Sequence, residues 1–341
     1  MRVLRLLPLG PARIASTPVA SGADFIGGQA VLGVPLPSTV LGALGAALNV
    51  RLSRERAEKD PLSGIGALVN ELDHSGRAVI TGPLMRVVMR DKETLVVPAY
   101  DKRGIVLVKL EALPRIAREL RVVCADGDVV GYSRPLTQVG VALRDSVSGS
   151  WSRVVETGYT FRRGLTTYTD AKGRGVSVEF IYKLSAEVGR LSTLVRFAGE
   201  GRQAHLEVSD EEGLRGLESV TSLLDAEPGR YMVLSYWPLM PRRSAALYLK
   251  SGDYFGLEFF DDPTVDILGI PSTDTKKAPS PRVVSIGLGY SEVLGFRRPA
   301  IPALPPGTIV VVRKAFRSMA SHLPEPYVTM LRAGYASLLK L

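Results

Sequence analysis

The stretch from Phe25 to Val50 carries no charged side chain, which a hydropathy window reads as a membrane span. Two prolines oppose that reading. Pro35 and Pro37 each remove a helix donor, and the residue before a proline avoids the α region, so a helix can begin only near Ser38. From there to Leu52 it reaches about 22 Å at 1.5 Å per residue, short of the roughly 30 Å of a bilayer core. The stretch therefore reads as a core helix, with Ser38 as its N-cap. Val40, Leu41, Leu44, Ala47 and Leu48 recur at helical spacing and should face a sheet. Gly42, Gly45 and Ala46 make the other side small enough for a second backbone to approach, although plain helix-on-sheet packing accounts for them as well.

A core of that kind fits the 341 residues, enough for one large or two medium domains. MRVLRLLPLG has Arg5 inside its apolar run and no clear cleavage site, so Val3 to Leu9 reads as a strand and not as a secretory signal. Further strand-like runs are Val79 to Met89, Leu95 to Leu110, Gln138 to Leu143, Val176 to Leu184, Thr193 to Val208 and Tyr231 to Trp237. Arg51 to Lys59 reads as a charged tail of the first helix, and Ile65–Leu72, Leu113–Leu120, Gly213–Leu224 and Glu325–Leu341 as helices. Asp126-Gly127-Asp128 signals a hairpin within Leu120 to Tyr132. Strands outnumber dispersed helices, which indicates α+β with antiparallel sheets.

The net charge of +9 comes mostly from arginine, which outnumbers lysine nearly three to one. Arginine forks onto phosphate and stacks on bases, so an anionic partner is expected, nucleic acid first; a solvated basic surface is the plainer alternative. Scarce Asn and Gln with plentiful Pro fit a thermophile-like chain. The single Cys124 reads as buried and inert. Between Arg144 and Gly175, Tyr159, Phe161 and Tyr168 alternate with Arg162, Arg163, Lys172 and Arg174. Such a hairpin could stack bases and hold phosphates, or could simply be an edge protected by charge.

The segment SIGLGYSEVLGFRRPAIPALPPGTIVVVR, Ser285 to Arg313, starts as a strand, breaks at Gly287, Gly289 and Gly295, and passes Arg297, Arg298 and a proline-rich turn into an apolar strand. Its amides could cradle phosphate oxygens. The segment is neither a P-loop, lacking Gly-Lys-Ser/Thr, nor a dinucleotide fingerprint, since no helix follows; a structural turn is the simpler reading. Gly199, Gly201 and Arg202 mark a tight turn between paired strands. Catalytic signals are sparse. Of His74, His205 and His322, only His74, beside Asp73, is a candidate acid–base group. Asp60, Asp73, Asp261, Asp262 and Asp266 form no metal-ligand spacing, and Asp24, on a loop, reads as structural. Neither catalysis nor a cofactor or metal is expected.

The Gly-rich stretch resembles the glycine loop of the RAMP superfamily of CRISPR-associated proteins. Gly287-Leu288-Gly289, five residues and Gly295-Phe296 fit its pattern, with Arg297 where the last glycine would stand. PLPSTVLGALGAAL, QVGVALRD, TGYTFRRGLTTY and VRFAGEGRQAHLEV, in that order, extend the likeness to one subgroup, the third subunit of the Cmr-type (type III-B) CRISPR effector complex. The stretches near 60–133 and 213–279 are too divergent to place. The resemblance implies two ferredoxin-like (RRM-like) domains around a cleft, here 1–184 with a thumb hairpin at 144–175, and 185–341. It also implies a cytoplasmic, non-catalytic subunit in antiviral defence. Its partners would be the 5′ tag of the crRNA, the large polymerase/HD subunit and a neighbouring RAMP backbone subunit, with no membrane. Gly287, Gly289, Gly295, Arg297 and Arg298 would meet RNA backbone, and Gly199, Gly201 and Arg202 would shape the cleft beside it. Tyr159, Phe161, Arg162 and Arg163 are placed on the thumb by inference from their composition. The alternatives are a repeat-cleaving RAMP endoribonuclease and the equivalent subunit of a type III-A complex.

Overall fold

Alternation decides how the first strand is used. In β1 (Arg2–Pro8), Leu4 and Leu6 bury on one face while Val3 buries on the other, so both faces of the sheet must be covered. The computed structural model describes residues 1–14, 31–89, 92–101, 104–120, 127–145, 153–198, 202–239, 265–272, 279–317, 321 and 323–341, with backbone alone for 101, 138–145, 153–163 and 297. After β1 come α1 (Pro37–Ala47), α2 (Arg54–Lys59), α3 (Ile65–Leu72), β2 (Ile80–Met89), β3 (Lys92–Asp101), β4 (Gly104–Lys109), α4 (Leu113–Glu119), β5 (Val129–Asp145), β6 (Arg153–Asp170), β7 (Ser177–Leu184), β8 (Leu191–Arg196) and β9 (Gln203–Asp210). The strands among these form one nine-stranded antiparallel sheet, ordered β6-β5-β4-β3-β2-β7-β1-β9-β8. The sheet thus continues through β8 and β9, past residue 184, to Asp210.

The remaining elements are β10 (Val220–Ser222), β11 (Gly229–Val233), β12 (Trp237–Pro238), β13 (Val265–Gly269), β14 (Val284–Gly287), β15 (Tyr290–Ser291), β16 (Phe296–Arg297), β17 (Ala300–Leu304), β18 (Ile309–Val312), α5 (Glu325–Arg332) and β19 (Ser337–Lys340). They make a five-stranded sheet, β10-β19-β11-β18-β13, a three-stranded sheet, β12-β17-β14, and a two-stranded ribbon, β15-β16. One face of the large sheet shares a core with α1 and α3, where Leu4, Leu6, Met85, Phe180 and Tyr182 join Val40, Leu41, Leu44 and Val69. Each fully buried aliphatic side chain there contributes about 1.5–3 kcal/mol. On the other face Val3, Leu84, Val97, Val108 and Ile181 meet Leu113 and Ile116 of α4 and Val220, Met232, Ile309 and Leu339 of the five-stranded sheet. The architecture is mixed, with large antiparallel sheets and few helices.

Several boundaries differ from the sequence reading. Leu36, not Ser38, is the N-cap of α1, because Pro37 takes the first helical position, where a missing N–H costs nothing. The hydroxyl of Ser38 instead lies 3.0 Å from that of Tyr335. Residues 54–59 are a helix of their own, capped by Ser53, and not a tail of α1. Residues 213–224 form no α-helix: positive φ at Gly213 and Gly216 opens a turn that leads into β10, and only a short 3-10 turn from Leu223 to Asp225 follows. The last helix stops at Arg332 and the chain returns as β19, since Gly334 (φ +102°) passes so close to β2 that a Cβ would stand 2.6 Å from the Ile80 carbonyl. The hairpin that holds the expected thumb is longer than 144–175, because the run 129–143 joins the same strand and pairs with β6 from Gly131↔Asp170 outward. Within the predicted hairpin of Leu120 to Tyr132, the described part from Val129 pairs with β4 and β6.

Candidate functional site

The Gly-rich segment folds as a hairpin on a hairpin. β14 and β17 pair from Val284↔Ala303 to Gly287↔Ala300, and the chain between them doubles back as the ribbon β15-β16. Two bonds close the neck: Leu288 N–H donates to Pro299 O (3.1 Å) and Arg298 N–H to Gly289 O (2.9 Å). Gly289 (φ +89°) and Gly295 (φ +72°) hold left-handed conformations that L side chains rarely adopt. These two glycines make the double reversal possible.

The side chain of Arg298 turns inward. It donates from Nε to Leu62 O (2.9 Å), from Nη2 to Ser63 O (2.7 Å) and from Nη1 to Tyr290 O (2.8 Å). Burial lowers its pKa from the ordinary value, with Tyr335 and Asp60 pulling the other way; a guanidinium stays charged regardless. The loop it grips is itself clasped. The carboxylate of Asp60 accepts from the backbone N–H groups of Leu62 (2.9 Å), Gly64 (2.8 Å), Gly66 (2.6 Å) and Ala67 (3.1 Å). The first turn of α3 therefore has its orphan donors satisfied by an acid of the same chain. Ser291 Oγ adds a bond to Ser63 O (3.1 Å). Below, burial pushes the Tyr335 phenol up to about 12, against the opposing pull of Ser38 and Arg298.

This bracing holds the glycine loop beside a groove of about 1000 Å³. Gly287, Gly289, Tyr290 and Val293 line the groove from the glycine loop, together with residues of α1, with Thr193 to Arg196 of the edge strand β8 and with Phe197 just after it. Gly45 of α1 is a packing glycine, since a Cβ would stand 2.8 Å from Leu68; Gly42 has nothing within 4 Å and leaves open space there. Arg13, Arg196, Arg202 and Arg298 line the groove and Glu292 is the one acid among its described residues. Such a groove attracts a polyanion.

The chain fold has known counterparts. It is shared with a chain in the cryo-EM structure of the type III-B Cmr-beta bound to cognate target RNA. That match has a TM-score of 0.62 at 18% identity and covers 100% of this chain and 96% of the other. A second match, in the same assembly bound to cognate target RNA and AMPPnP, has a TM-score of 0.60 at 18% identity and covers 99% and 96%. No protein-family model and no curated protein matches the chain.

The groove brings Gly287, Gly289, Arg298 and Arg202 together. Gly295 turns the ribbon outside it, and Arg297 pairs with Tyr290 across the ribbon ladder. Tyr159, Phe161, Arg162 and Arg163 lie along β6, with Phe161 opposite Gly140, Arg162 opposite Val139 and Arg163 opposite Gln138. Gly199, Gly201, Asp24, Cys124, Asp261, Asp262 and His322 fall outside the described residues. Sequence reasoning missed Arg13 and Arg196 as groove residues and Asp60 as the clasp. The signal for the clasp was present: Asp60-Pro-Leu-Ser-Gly-Ile-Gly joins an aspartate to turn residues it can bond. His74 is exposed in a second cleft, of about 900 Å³, beside Asp73, Arg77 and Lys183. The Asp73 carboxylate accepts from the Ser75 hydroxyl (2.7 Å). Among the described residues no cluster of His, Cys, Asp and Glu is suited to a metal ion, and no helix is long and apolar enough to cross a membrane.

Proposed function

We propose that this chain is a non-catalytic, RNA-binding subunit of a type III-B (Cmr) CRISPR effector complex that holds the 5′ tag of the crRNA. The observation that carries the reading is the groove, lined by a braced glycine loop and a small-residue helix, where four arginines outnumber one glutamate. Full-length likeness to a chain of an RNA-bound Cmr assembly supports it. Single-stranded RNA is held by arginines and backbone amides on its phosphates and by contacts to its unstacked bases. Target choice rests on base pairing, so the protein needs to recognise only the tag and the backbone shape. In this reading the two parts of the chain are ferredoxin-like units, and the large polymerase/HD subunit and a RAMP backbone subunit dock elsewhere on the surface.

The test is to express the chain with the large subunit of its own gene neighbourhood and sequence the RNA that copurifies. Short RNAs sharing one repeat-derived 5′ end, lost when Arg196 and Arg202 are both changed to Ala, are the expected result. No RNA, or RNA without a common 5′ end, sinks the reading. Cleavage of a repeat RNA that His74→Ala abolishes would instead make the chain a processing nuclease. A type III-A set of neighbouring genes would reassign the complex.

A further inference from the structure

The groove lining carries an aromatic side chain that the fold does not use. The large aromatic side chains Trp237, Tyr182, Tyr231, Tyr236, Tyr327, Tyr335, Phe180 and Phe316 are fully buried, whereas Tyr290 is 54% exposed and lines the groove. Its backbone is among the best held in the loop. The carbonyl accepts from Arg298 Nη1 at 2.8 Å, Gly289 before it accepts from the Arg298 N–H, and Ser291 after it is fastened to Ser63. We propose that Tyr290 is the stacking platform for one unpaired base of a single-stranded RNA lying in this groove.

The inference rests on the proposed RNA-binding role and names the residue that would touch a base. A tyrosine has only two rotatable side-chain bonds, and a rigid backbone beneath it leaves little to be ordered when a base arrives. Stacking of bases on aromatic rings, with arginine taking the phosphates, is how single strands are bound. Arg196 and Arg202 line the same groove, and the open space at Gly42 leaves room for the backbone. An apolar protein segment suits the place less well, because four arginines line the same groove. Phe296, 45% exposed, is not a groove-lining residue and is left out of the proposal.

The experiment uses the full chain and a fluorescein-labelled copy of the single-stranded RNA that copurifies with it, together with versions abasic at each position in turn. Tyr290→Leu should weaken binding about tenfold and Tyr290→Phe less than twofold, with thermal unfolding unchanged in both. One abasic position should cost the unaltered protein about tenfold and cost the Tyr290→Leu variant almost nothing, since the two changes remove the same contact. Equal abasic penalties in both proteins, or full affinity in Tyr290→Leu, overturn the platform. If the Arg196→Ala/Arg202→Ala variant still loses binding in that case, the RNA-binding role stands without it. If no RNA binds the unaltered chain, the role itself falls and the platform with it. Loss of a copurifying protein, and not of RNA, from Tyr290→Leu would assign the ring to a protein contact.

Discussion

A carboxylate can be worth more as an acceptor of main-chain hydrogen bonds than as a charge. Asp60 takes four backbone N–H groups, and through Ser63 and Leu62 it fixes what Arg298 can reach. Asp60→Ala should therefore lower stability by about 2–3 kcal/mol, read as a reduced urea midpoint, because buried donors lose a charged acceptor. Asp170 acts in the same manner at the turn after β6. The backbone N–H of Arg174, then its guanidinium and the Lys172 N–H, hold its carboxyl below the ordinary value of 3.8, partly opposed by desolvation. A native pKa below the unfolded one means that the unfolded chain binds the extra proton. The stabilisation is present above about pH 4 and is lost as pH falls through the native pKa. Asp170→Asn should flatten the fall of Tm between pH 5 and pH 2.5, and an unchanged acid limb would refute this. At this scale the sequence showed residue types better than partners. Ser38 looked like a cap, yet Pro37 shifts the cap to Leu36 and leaves Ser38 to Tyr335, a partner 297 residues away.

Elements were legible where periodicity and punctuation agreed, as for β1, α3, α4 and β7. They were misread where buried segments carried helical spacing by chance. Val328, Leu331, Tyr335 and Leu338 recur at three and four residues, but only the first two lie in α5 and Leu338 lies in β19. A strand buried on both faces has no alternation to betray it. The decisive residue is Gly334, whose left-handed backbone abuts Ile80. Gly334→Ala should cost about 2 kcal/mol or more, since it adds both strain and a clash; thermal unfolding would show it. The candidate site followed the same rule. Its glycines and Arg298 were visible in the sequence, while the β8 edge with Arg196 and the lining from α1 came into place only through pairing.

For the whole molecule, affinity and stability should separate by arginine. Arg298→Ala should lose both together, because its guanidinium holds three carbonyls. Arg196→Ala, at an exposed position, should keep the unfolding free energy within about 0.5 kcal/mol, weaken RNA binding several-fold and reduce the salt slope of log affinity by about one. A pair of variants that behave alike would contradict this division. The antiparallel α+β character was readable from strand count, but strand order was not, because nothing local says that β1 lies between β7 and β9. That position has a kinetic consequence. β1 is synthesised first and its two neighbours only after residues 177–210 emerge, while β19 closes the five-stranded sheet between β10 and β11. The pairings of β1 and those of the five-stranded sheet join strands far apart in sequence, so the nascent chain must keep apolar side chains and open strand edges unpaired through much of its synthesis, and folding should be slow and sensitive to crowding by like chains.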